Sequence, residues 1–304
     1  MNRWRADVAL GMAALIWGFA FVAQKEAEAL VPPVSFVAAR FAISVVALAP
    51  FAVYEARTAQ PLDKCSWRLA LGVALTLFVG SVLQQVGLAT TSATNGGFLT
   101  ACYVVLTPIA VWITTARAPR PIVAIAAGLS IVGAWLLASG GGPAKAMSAG
   151  DGLILLSDLA WAFGIAWMPM FLARTRRPFT LAFLQYAVCA ALAALVATAY
   201  ETVRVADFIG ALWPLLFAGL VSGAFGFTLQ ILGQRHTPPS EAALLLSLES
   251  VFAAIAGALW LDERLTTVGM LGCALILISV LLVEVGPTFL RRVRLAAWGA
   301  QTGL

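Results

Sequence analysis

Ten apolar runs follow one another along the chain, and each is ended by charged residues or by proline and glycine. A helix that crosses the hydrocarbon core of a bilayer needs about 20 mostly apolar residues, and proline, glycine and charge mark the breaks between such helices. The pattern therefore predicts an all-α membrane protein with ten transmembrane helices. The predicted spans are 7–28, 34–54, 67–90, 95–115, 121–139, 152–173, 179–201, 208–234, 239–261 and 266–285.

The composition points to the same class of protein. Of the 304 residues, 62% are hydrophobic and 11% are charged, and the mean hydropathy is +0.94. A soluble domain averages about 25% charged residues. Ten spans of about 20 residues use roughly two thirds of the chain, so only short connections remain and we expect no soluble domain.

The distribution of lysine and arginine predicts the orientation in the membrane. Cytoplasmic loops carry an excess of these residues. With the N-terminus inside, 14 of the 19 basic residues fall on the inner segments, Arg40 falls within a span, and four fall on the outer segments. Both termini are therefore predicted to be cytoplasmic. The four outer residues are Lys25, Lys145, Arg204 and Arg264.

Several other kinds of site are not expected. The net charge is +5, but the basic residues are scattered singly between apolar runs, which argues against a nucleic-acid partner. Three of the four cysteines lie within apolar runs, so neither a disulfide framework nor a metal site is predicted. No nucleotide-binding loop motif is present. We therefore expect no cofactor and no metal.

The two halves of the chain resemble each other. Trp17 matches Trp161 at an offset of 144 residues, so the first span corresponds to the sixth. This match argues that the first span belongs to the mature fold, although Arg3, Arg5 and Ala27-Glu28-Ala29 could be taken for a cleavable signal peptide. At an offset of 146, Gly80, Leu83, Gln84, Gly87 and Thr91 align with Gly226, Leu229, Gln230, Gly233 and Thr237.

An odd number of spans in each repeat inverts the second half relative to the first. We predict one five-helix repeat over 1–140, a second over 150–285, and a cytoplasmic tail over 286–304. Inverted repeats are the architecture of many secondary transporters, whose substrate sites lie near the membrane midplane between the halves. The alternative is that the duplication only produced a stable bundle. Because both halves lie in one chain, we expect that a monomer can suffice.

The chain resembles the EamA-type ten-span exporters of the drug/metabolite transporter superfamily. Residues 240–257 and 262–266 resemble the ninth span of that family, and Ile16-Trp17-Gly18-Phe19 resembles its first. Ser250 departs from the pattern, since the family usually has proline there. Among these exporters, the aromatic-rich spans look most similar to the YddG-type aromatic amino-acid exporters. The resemblance implies export of small metabolites across a bacterial inner membrane.

Residues near mid-span in both repeats are candidates for a central substrate site. At about 1.5 Å per residue, Trp17 and Trp161 lie roughly 15 and 13 Å into their spans. Their ring faces would suit a flat or aromatic side chain, although packing between helices is the alternative. Glu249 lies at a similar depth, with Tyr103 or, one turn away, Thr107 opposite. A carboxylate at this depth is expensive unless it serves a function, and a structural, hydrogen-bonded glutamate is the alternative.

Other polar residues in the spans are predicted to act as gates or helix contacts. Arg40 and Asp158 lie at similar depths from the outer face and could form an ion pair or an extracellular gate, although Arg40 could also snorkel to the interface. Asn95 could line an entrance or cap its helix. The remaining residues of this group are Gln84, Gln230 and Gln185.

The sequence therefore predicts a secondary transporter that exports aromatic and other apolar amino acids by alternating access at a midplane cavity. An exporter of a different metabolite or drug, a channel and a non-transporting scaffold are the alternatives. An intramembrane enzyme is not expected, because the single histidine, His236, lies at the end of a span and has no catalytic motif beside it. Proton coupling and the direction of transport are not determined by the sequence.

Overall fold

The computed structural model describes residues 2–139 and 148–283, and every regular element in those ranges is helical. Within those ranges, eight helices are long and apolar enough to cross a membrane, and two shorter apolar helices accompany them. A short helix, Val205–Gly210, lies before the helix that begins at Leu212. The predicted tail after residue 285 lies outside the described residues. The helices are α1 Arg3–Glu28, α2 Pro33–Thr58, α3 Lys64–Leu88, α4 Ala93–Thr115, α5 Pro121–Ser139, α6 Ala149–Thr175, α7 Pro178–Tyr200, α8 Leu212–Gln234, α9 Pro239–Trp260 and α10 Thr267–Val283.

Capping residues fix where several helices begin. The side chains of Asn2, Asp63 and Ser92 each accept a hydrogen bond from a backbone N–H in the first turn of the helix that follows. Ser148 and Asp151 form a reciprocal capping box at the start of α6. Such caps satisfy backbone donors that a helix leaves unpaired. The helix starts therefore follow from local sequence.

Two helices are broken at corresponding positions of the two repeats. Helix α4 consists of Ala93–Thr100 and Tyr103–Thr115, and α9 consists of Pro239–Leu246 and Glu249–Trp260. The second pieces begin at Tyr103 and Glu249, which the offset of 146 residues pairs. The breaks thus give both halves a discontinuous helix near its middle.

Contacts between helix ends show which helix ends lie at the same end of the bundle. Lys25 at the end of α1 donates to the carbonyl of Leu88 at the end of α3, and Arg174 at the end of α6 pairs with Asp63 at the start of α3. We call the end that contains the starts of α1 and α3 end A, and the opposite end, which contains Leu88, end B. Successive helices therefore alternate in direction.

Helices α2 and α7 are held together at both ends by carboxylates. At end B, Glu201 accepts hydrogen bonds from the backbone N–H groups of Val34 and Ser35 at 2.9 and 2.7 Å. At end A, Glu55 accepts from the backbone N–H groups of Phe179 and Thr180 at 3.3 and 2.7 Å. Each glutamate also accepts from the hydroxyl of its partner helix, Ser35 or Thr180. We call these two sites the α2–α7 clamps.

The remaining core helices pack in a repeated pattern. Helix α1 packs against α8 and α9, and α6 packs against α3 and α4. The two sets of contacts are equivalent if α1 corresponds to α6, α8 to α3, and α9 to α4. The centre of the bundle therefore lies where α1 and α6 meet the broken helices.

Candidate functional site

A narrow cavity lies between α1, α6 and the broken helices. Its volume is about 50 Å³, which is room for a few water molecules. Its lining includes Trp17, Trp161, Tyr103 and Glu249, the mid-span residues selected from the sequence. A substrate of amino-acid size would require the lining side chains to move apart. The cavity of this structure is therefore too small for such a substrate.

Aromatic rings form one wall of the cavity around Phe227. Its ring centroid lies 4.5 Å from that of Trp17 and 6.2 Å from that of Trp161. Both tryptophans pack on glycines that the repeat offset pairs: a Cβ at Gly226 would lie 3.0 Å from Nε1 of Trp17, and one at Gly80 would lie 2.9 Å from the Trp161 ring. Because these positions are glycines, α3 and α8 leave room for both indole rings.

The two indoles differ in their hydrogen bonds. Nε1 of Trp17 donates to the carbonyl of Ser222 at 3.3 Å. Nε1 of Trp161 is buried and has no hydrogen-bond partner in the part of the chain that the structure describes. A buried N–H without a partner costs free energy, and a substrate oxygen could satisfy it. Trp161 is therefore the better placed of the two indoles to bind a polar group of a ligand.

The carbonyl that Trp17 binds belongs to a π-helical segment of α8, Phe217–Phe227. Two further side chains bind carbonyls of this segment: Ser44 donates to Gly219 at 2.6 Å and Tyr186 donates to Gly223 at 2.9 Å. The wider π turn exposes carbonyls to side chains from other helices, and such segments are frequent at functional sites. Donors from α1, α2 and α7 therefore hold the α8 wall in place.

Glu249 and Tyr103 bring polar groups to the cavity from the breaks in α9 and α4. Glu249 is 3% exposed, and its Oε1 atom has no hydrogen-bond partner among the described residues. The Tyr103 hydroxyl is also buried without a hydrogen bond of regular geometry to any described residue, and it lies close enough to Glu249 for the two groups to interact. A break in a helix leaves backbone groups unpaired near the middle of a bundle. Discontinuous helices are therefore frequent at the substrate sites of transporters.

Arg40 contributes a buried guanidinium from α2. Its Nη1 donates to Oε1 of Gln24 at 2.7 Å, and its Cζ lies 4.9 Å from the centroid of the Phe41 ring. Its Nε has no partner. A buried charge is expensive unless it is paired, so this guanidinium is suited to receive a carboxylate. The predicted ion pair with Asp158 is not formed in the structure, since Arg40 binds Gln24 instead.

The three glutamines predicted as gates or helix contacts lie at the centre of the bundle. Gln84 lines the cavity and donates to the Thr100 hydroxyl at 3.0 Å, and Gln230 lines it with an unpartnered Oε1. Both side chains therefore line the cavity, Gln84 from α3 and Gln230 from α8, and their predicted role as gates or helix contacts stays a prediction. Gln185 lines a smaller adjoining cavity of about 20 Å³.

The other predicted residues lie away from the main cavity. Thr107 is buried and donates to the carbonyl of Tyr103 at 2.8 Å, so it supports Tyr103 without lining the cavity. Asp158 is buried in α6, and neither carboxylate oxygen has a hydrogen-bond partner. Asn95 lies near the start of α4, where its amide donates to Asp151 at 3.1 Å.

Sequence reasoning missed several lining residues. Ala20, Phe21 and Gln24 line the cavity together with Trp17. They lie three, four and seven residues after Trp17, which is one face of an α-helix, so a search along that face would have found them. Thr100, Ser222 and Phe227 also line the cavity. Within the part of the chain that the structure describes, no cluster of three or more histidine, cysteine or acidic side chains could hold a metal.

The chain is similar to known proteins over nearly its whole length. The model of the EamA-like transporter family matches residues 4–139 and again residues 148–285. An "Uncharacterized transporter" of Archaeoglobus fulgidus is 32% identical over 290 residues, which cover 93% of this chain and 87% of the relative. A solved structure described only as "Crystal structure of protein" superposes with a TM-score of 0.67 at 18% identity, covering 94% of this chain and 98% of the other. At that identity, the likeness concerns the fold alone.

Proposed function

The chain belongs to the EamA-like transporter family, and from this premise we propose that it carries amino acids with aromatic or other apolar side chains. Membership makes it a multi-pass membrane transporter of small molecules and not an enzyme. Our proposal adds the substrate class, an alternating-access mechanism and the direction of export. Export across a bacterial inner membrane rests on the family resemblance.

We also propose that the ten helices all cross the membrane as two inverted five-helix repeats, 1–140 and 150–285, followed by a cytoplasmic tail, 286–304. Repeat-related helix breaks and repeat-related indole–glycine contacts support the two-fold relation. The starts of α1, α3, α7 and α9 lie at end A, where most of the basic loop residues are found. The positive-inside rule therefore supports end A as the cytoplasmic end, with both termini inside.

The observation that carries the substrate class is that a buried guanidinium and a buried carboxylate line one aromatic cavity. Arg40 suits the carboxylate of an amino acid, and Glu249 suits its ammonium group. The rings of Trp17, Trp161 and Phe227 suit an apolar side chain. Binding a zwitterion would pair both protein charges, which lowers the cost of burying them.

The closed cavity fits a transporter between its two open states. About 50 Å³ is too little for an amino acid, so loading requires rocking of the helices that line the cavity. In alternating access, the two repeats move against each other around a fixed central site. One chain contains both repeats, so a monomer suffices for this mechanism.

Flux of radiolabelled amino acids in proteoliposomes tests the proposal. We expect phenylalanine, tryptophan and leucine to equilibrate faster through the protein than into empty vesicles. Asp63→Asn, which removes an exposed carboxylate at end A, should leave the flux unchanged and serves as the matched control. Equal flux in protein-containing and empty vesicles would overturn the substrate proposal.

A second candidate substrate class is an aromatic organic cation such as a drug. The carboxylate of Glu249 and the aromatic wall around Phe227 favour it, since a cation needs both but does not need Arg40. Arg40→Met separates the two classes. For amino acids, we expect this variant to lose most of the flux, whereas transport of tryptamine, which lacks the carboxylate, should be unaffected or should improve.

A further inference from the structure

Hydrogen-bonded networks join neighbouring helices at end A and at end B, and they occupy repeat-related positions. We propose that these networks are the two gates of the transporter: Asp7, Thr237 and Glu241 at end A, and Asp151, Thr91 and Asn95 at end B. The inference rests on the proposed alternating-access function and adds the residues that hold each side shut.

The end-A gate joins the start of α1 to the start of α9. The Thr237 hydroxyl donates to Oδ1 of Asp7 at 2.8 Å. Arg3 binds both acidic residues, with Nε at 2.8 Å from Oδ1 of Asp7 and Nη2 at 2.7 Å from Oε2 of Glu241. Arg120, just before α5, lies 3.3 Å from Oε1 of Glu241. Two guanidinium groups thus brace this gate.

The end-B gate joins the start of α4 to the start of α6. Nδ2 of Asn95 donates to Oδ1 of Asp151 at 3.1 Å and to the Thr91 hydroxyl at 2.5 Å. Asp151 also accepts from the backbone N–H of Ser148 at 2.9 Å through Oδ2, as part of the capping box. The link across this gate is therefore an amide bound to a carboxylate.

The two gates are related by the internal repeat. An offset of 146 residues pairs Thr91 with Thr237 and Asn95 with Glu241, and the offset of 144 that pairs Trp17 with Trp161 also pairs Asp7 with Asp151. Each gate therefore contains an aspartate from the first helix of one repeat and a threonine and a polar residue from the fourth helix of the other. Unrelated contacts at two helix ends would not be expected to use residues that the repeat offsets pair.

Each gate connects helices that line the cavity. Helices α1 and α9 supply Trp17 and Glu249, and α4 and α6 supply Tyr103 and Trp161. Separation of α1 from α9 at end A, or of α4 from α6 at end B, would therefore expose the cavity from that end. The α2–α7 clamps, in contrast, hold one helix pair at both ends, so these two helices are suited to stay together while the gates open in turn.

The gate carboxylates at end A are largely buried in this structure and would meet water when the gate opens. The side chains of Asp7 and Glu241 are 11% and 6% exposed. When the helices separate, water replaces the lost hydrogen bonds, so the net cost of opening is only a small part of the bond strength. If apolar side chains packed at these positions, water would not replace the contacts that are lost on opening.

Accessibility of a reporter cysteine in the cavity tests the gates without reference to any substrate. The four native cysteines are replaced, and Ser222→Cys introduces a thiol at the cavity wall. A charged, membrane-impermeant methanethiosulfonate is then applied from either side of sealed vesicles. A protein that keeps only Cys65, which is exposed beside the start of α3, shows which vesicle face corresponds to end A.

We expect each gate variant to open its own end. Asp7→Asn combined with Glu241→Gln should raise the labelling rate from end A about tenfold, and Asp151→Asn combined with Asn95→Ala should do so from end B, because each removes charge-assisted contacts. Two milder variants guard against misfolding: Thr237→Val removes one hydroxyl at end A, and Asn95→Asp places a second carboxylate opposite Asp151. Both should act in the same direction as the double variants.

Matched controls and an independent flux assay make the outcomes distinguishable. Asp63→Asn at end A and Asp207→Asn at end B remove carboxylates outside the gates and should leave labelling unchanged. Unchanged labelling in the gate variants, or an increase from the wrong end, overturns the gate assignment even if amino-acid flux is observed. End-specific labelling without amino-acid flux supports the gates and rejects the proposed substrates.

Discussion

Glu249 combines burial with an unsatisfied oxygen facing the cavity. Removing its charge should therefore affect binding and stability in opposite directions. Glu249→Gln keeps the shape but removes the cost of burying a carboxylate, so we expect the thermal unfolding midpoint in detergent to stay equal or rise. Substrate binding should weaken at least about tenfold, equivalent to about 1.4 kcal/mol.

Thermal shift with and without phenylalanine measures both effects of Glu249→Gln. The wild-type midpoint should rise with ligand by linkage, and that rise should be lost in the variant. Glu26→Gln changes an exposed glutamate on α1 and is the matched control. A variant that is strongly destabilised, with ligand stabilisation retained, would show that Glu249 has a structural role.

For single residues, the sequence predicted how deep a residue lies in its span but not the direction in which its side chain points. Trp17 and Glu249 were selected because the spans and the repeat offset fix how far along the helix they lie. Whether a side chain at that depth faces a cavity depends on the rotation of the helix, which packing partners determine. Thr107, at a suitable depth, therefore donates to the Tyr103 carbonyl and does not line the cavity, whereas Gln230, predicted as a gate or helix contact, does line it.

At the scale of single helices, α8 contains the least predictable feature. No sequence signal marks the π turns of Phe217–Phe227, since its glycines and apolar residues are equally common in regular transmembrane α-helices. A Cβ at Gly219 would lie 2.8 Å from the carbonyl oxygen of Arg40, so this glycine lets α8 pack closely on α2. The π form depends on donors from other helices, so it is a product of tertiary structure.

The hydrogen bond from Tyr186 to Gly223 should measurably stabilise the π segment. Tyr186→Phe removes the hydroxyl and leaves the ring packed on Phe41. We expect a loss of about 1 kcal/mol of stability, the typical net value of a buried hydrogen bond, seen as a lower unfolding midpoint. Tyr200→Phe, at an 86% exposed tyrosine, should have no effect. Equal midpoints for both variants would mean that the segment does not need this donor.

The α2–α7 clamps make a second prediction for the helices. Each glutamate accepts two backbone N–H groups at a helix N-terminus, where a negative charge is favoured. Glu55→Gln and Glu201→Gln should each cost about 1 kcal/mol of stability, and because the clamps lie at opposite ends, the double variant should cost the sum. Chemical unfolding of the three variants in mixed micelles measures this. A double variant no less stable than the single ones would refute independent clamps.

At the scale of the whole molecule, hydropathy predicted the all-helical membrane fold, and the resemblance of residues 240–257 and 262–266 to the ninth span of the EamA-type exporters predicted the family. The fold prediction needs no side-chain detail, because apolar length and charge at the span ends are enough for it. The helix breaks at Ala101 and Ser247 escaped prediction, because neither proline nor glycine stands at Ala101-Cys102 or Ser247-Leu248. Such breaks depend on packing against other helices, which a single sequence does not specify.

The two gates differ in charge, and this difference predicts their response to salt. At end A, Arg3 and Arg120 bind Glu241 with side chains 40% and 63% exposed. Such partly exposed pairs are screened as the Debye length falls from about 10 Å at 0.1 M salt to about 3 Å at 1 M. The end-B gate is linked by an amide and a carboxylate, whose short-range contact depends less on ionic strength.

Raising the salt from about 0.1 to 1 M should therefore speed labelling of the cavity thiol from end A and change it little from end B. Rates are compared with that of exposed Cys65, which corrects for the effect of salt on the reagent. In Glu241→Gln the ion pairs that cross the gate are already absent, and the remaining Arg3–Asp7 pair lies within α1, so the end-A response should disappear. An equal salt response at both ends, or one that persists in this variant, would show that the arginines do not hold end A shut.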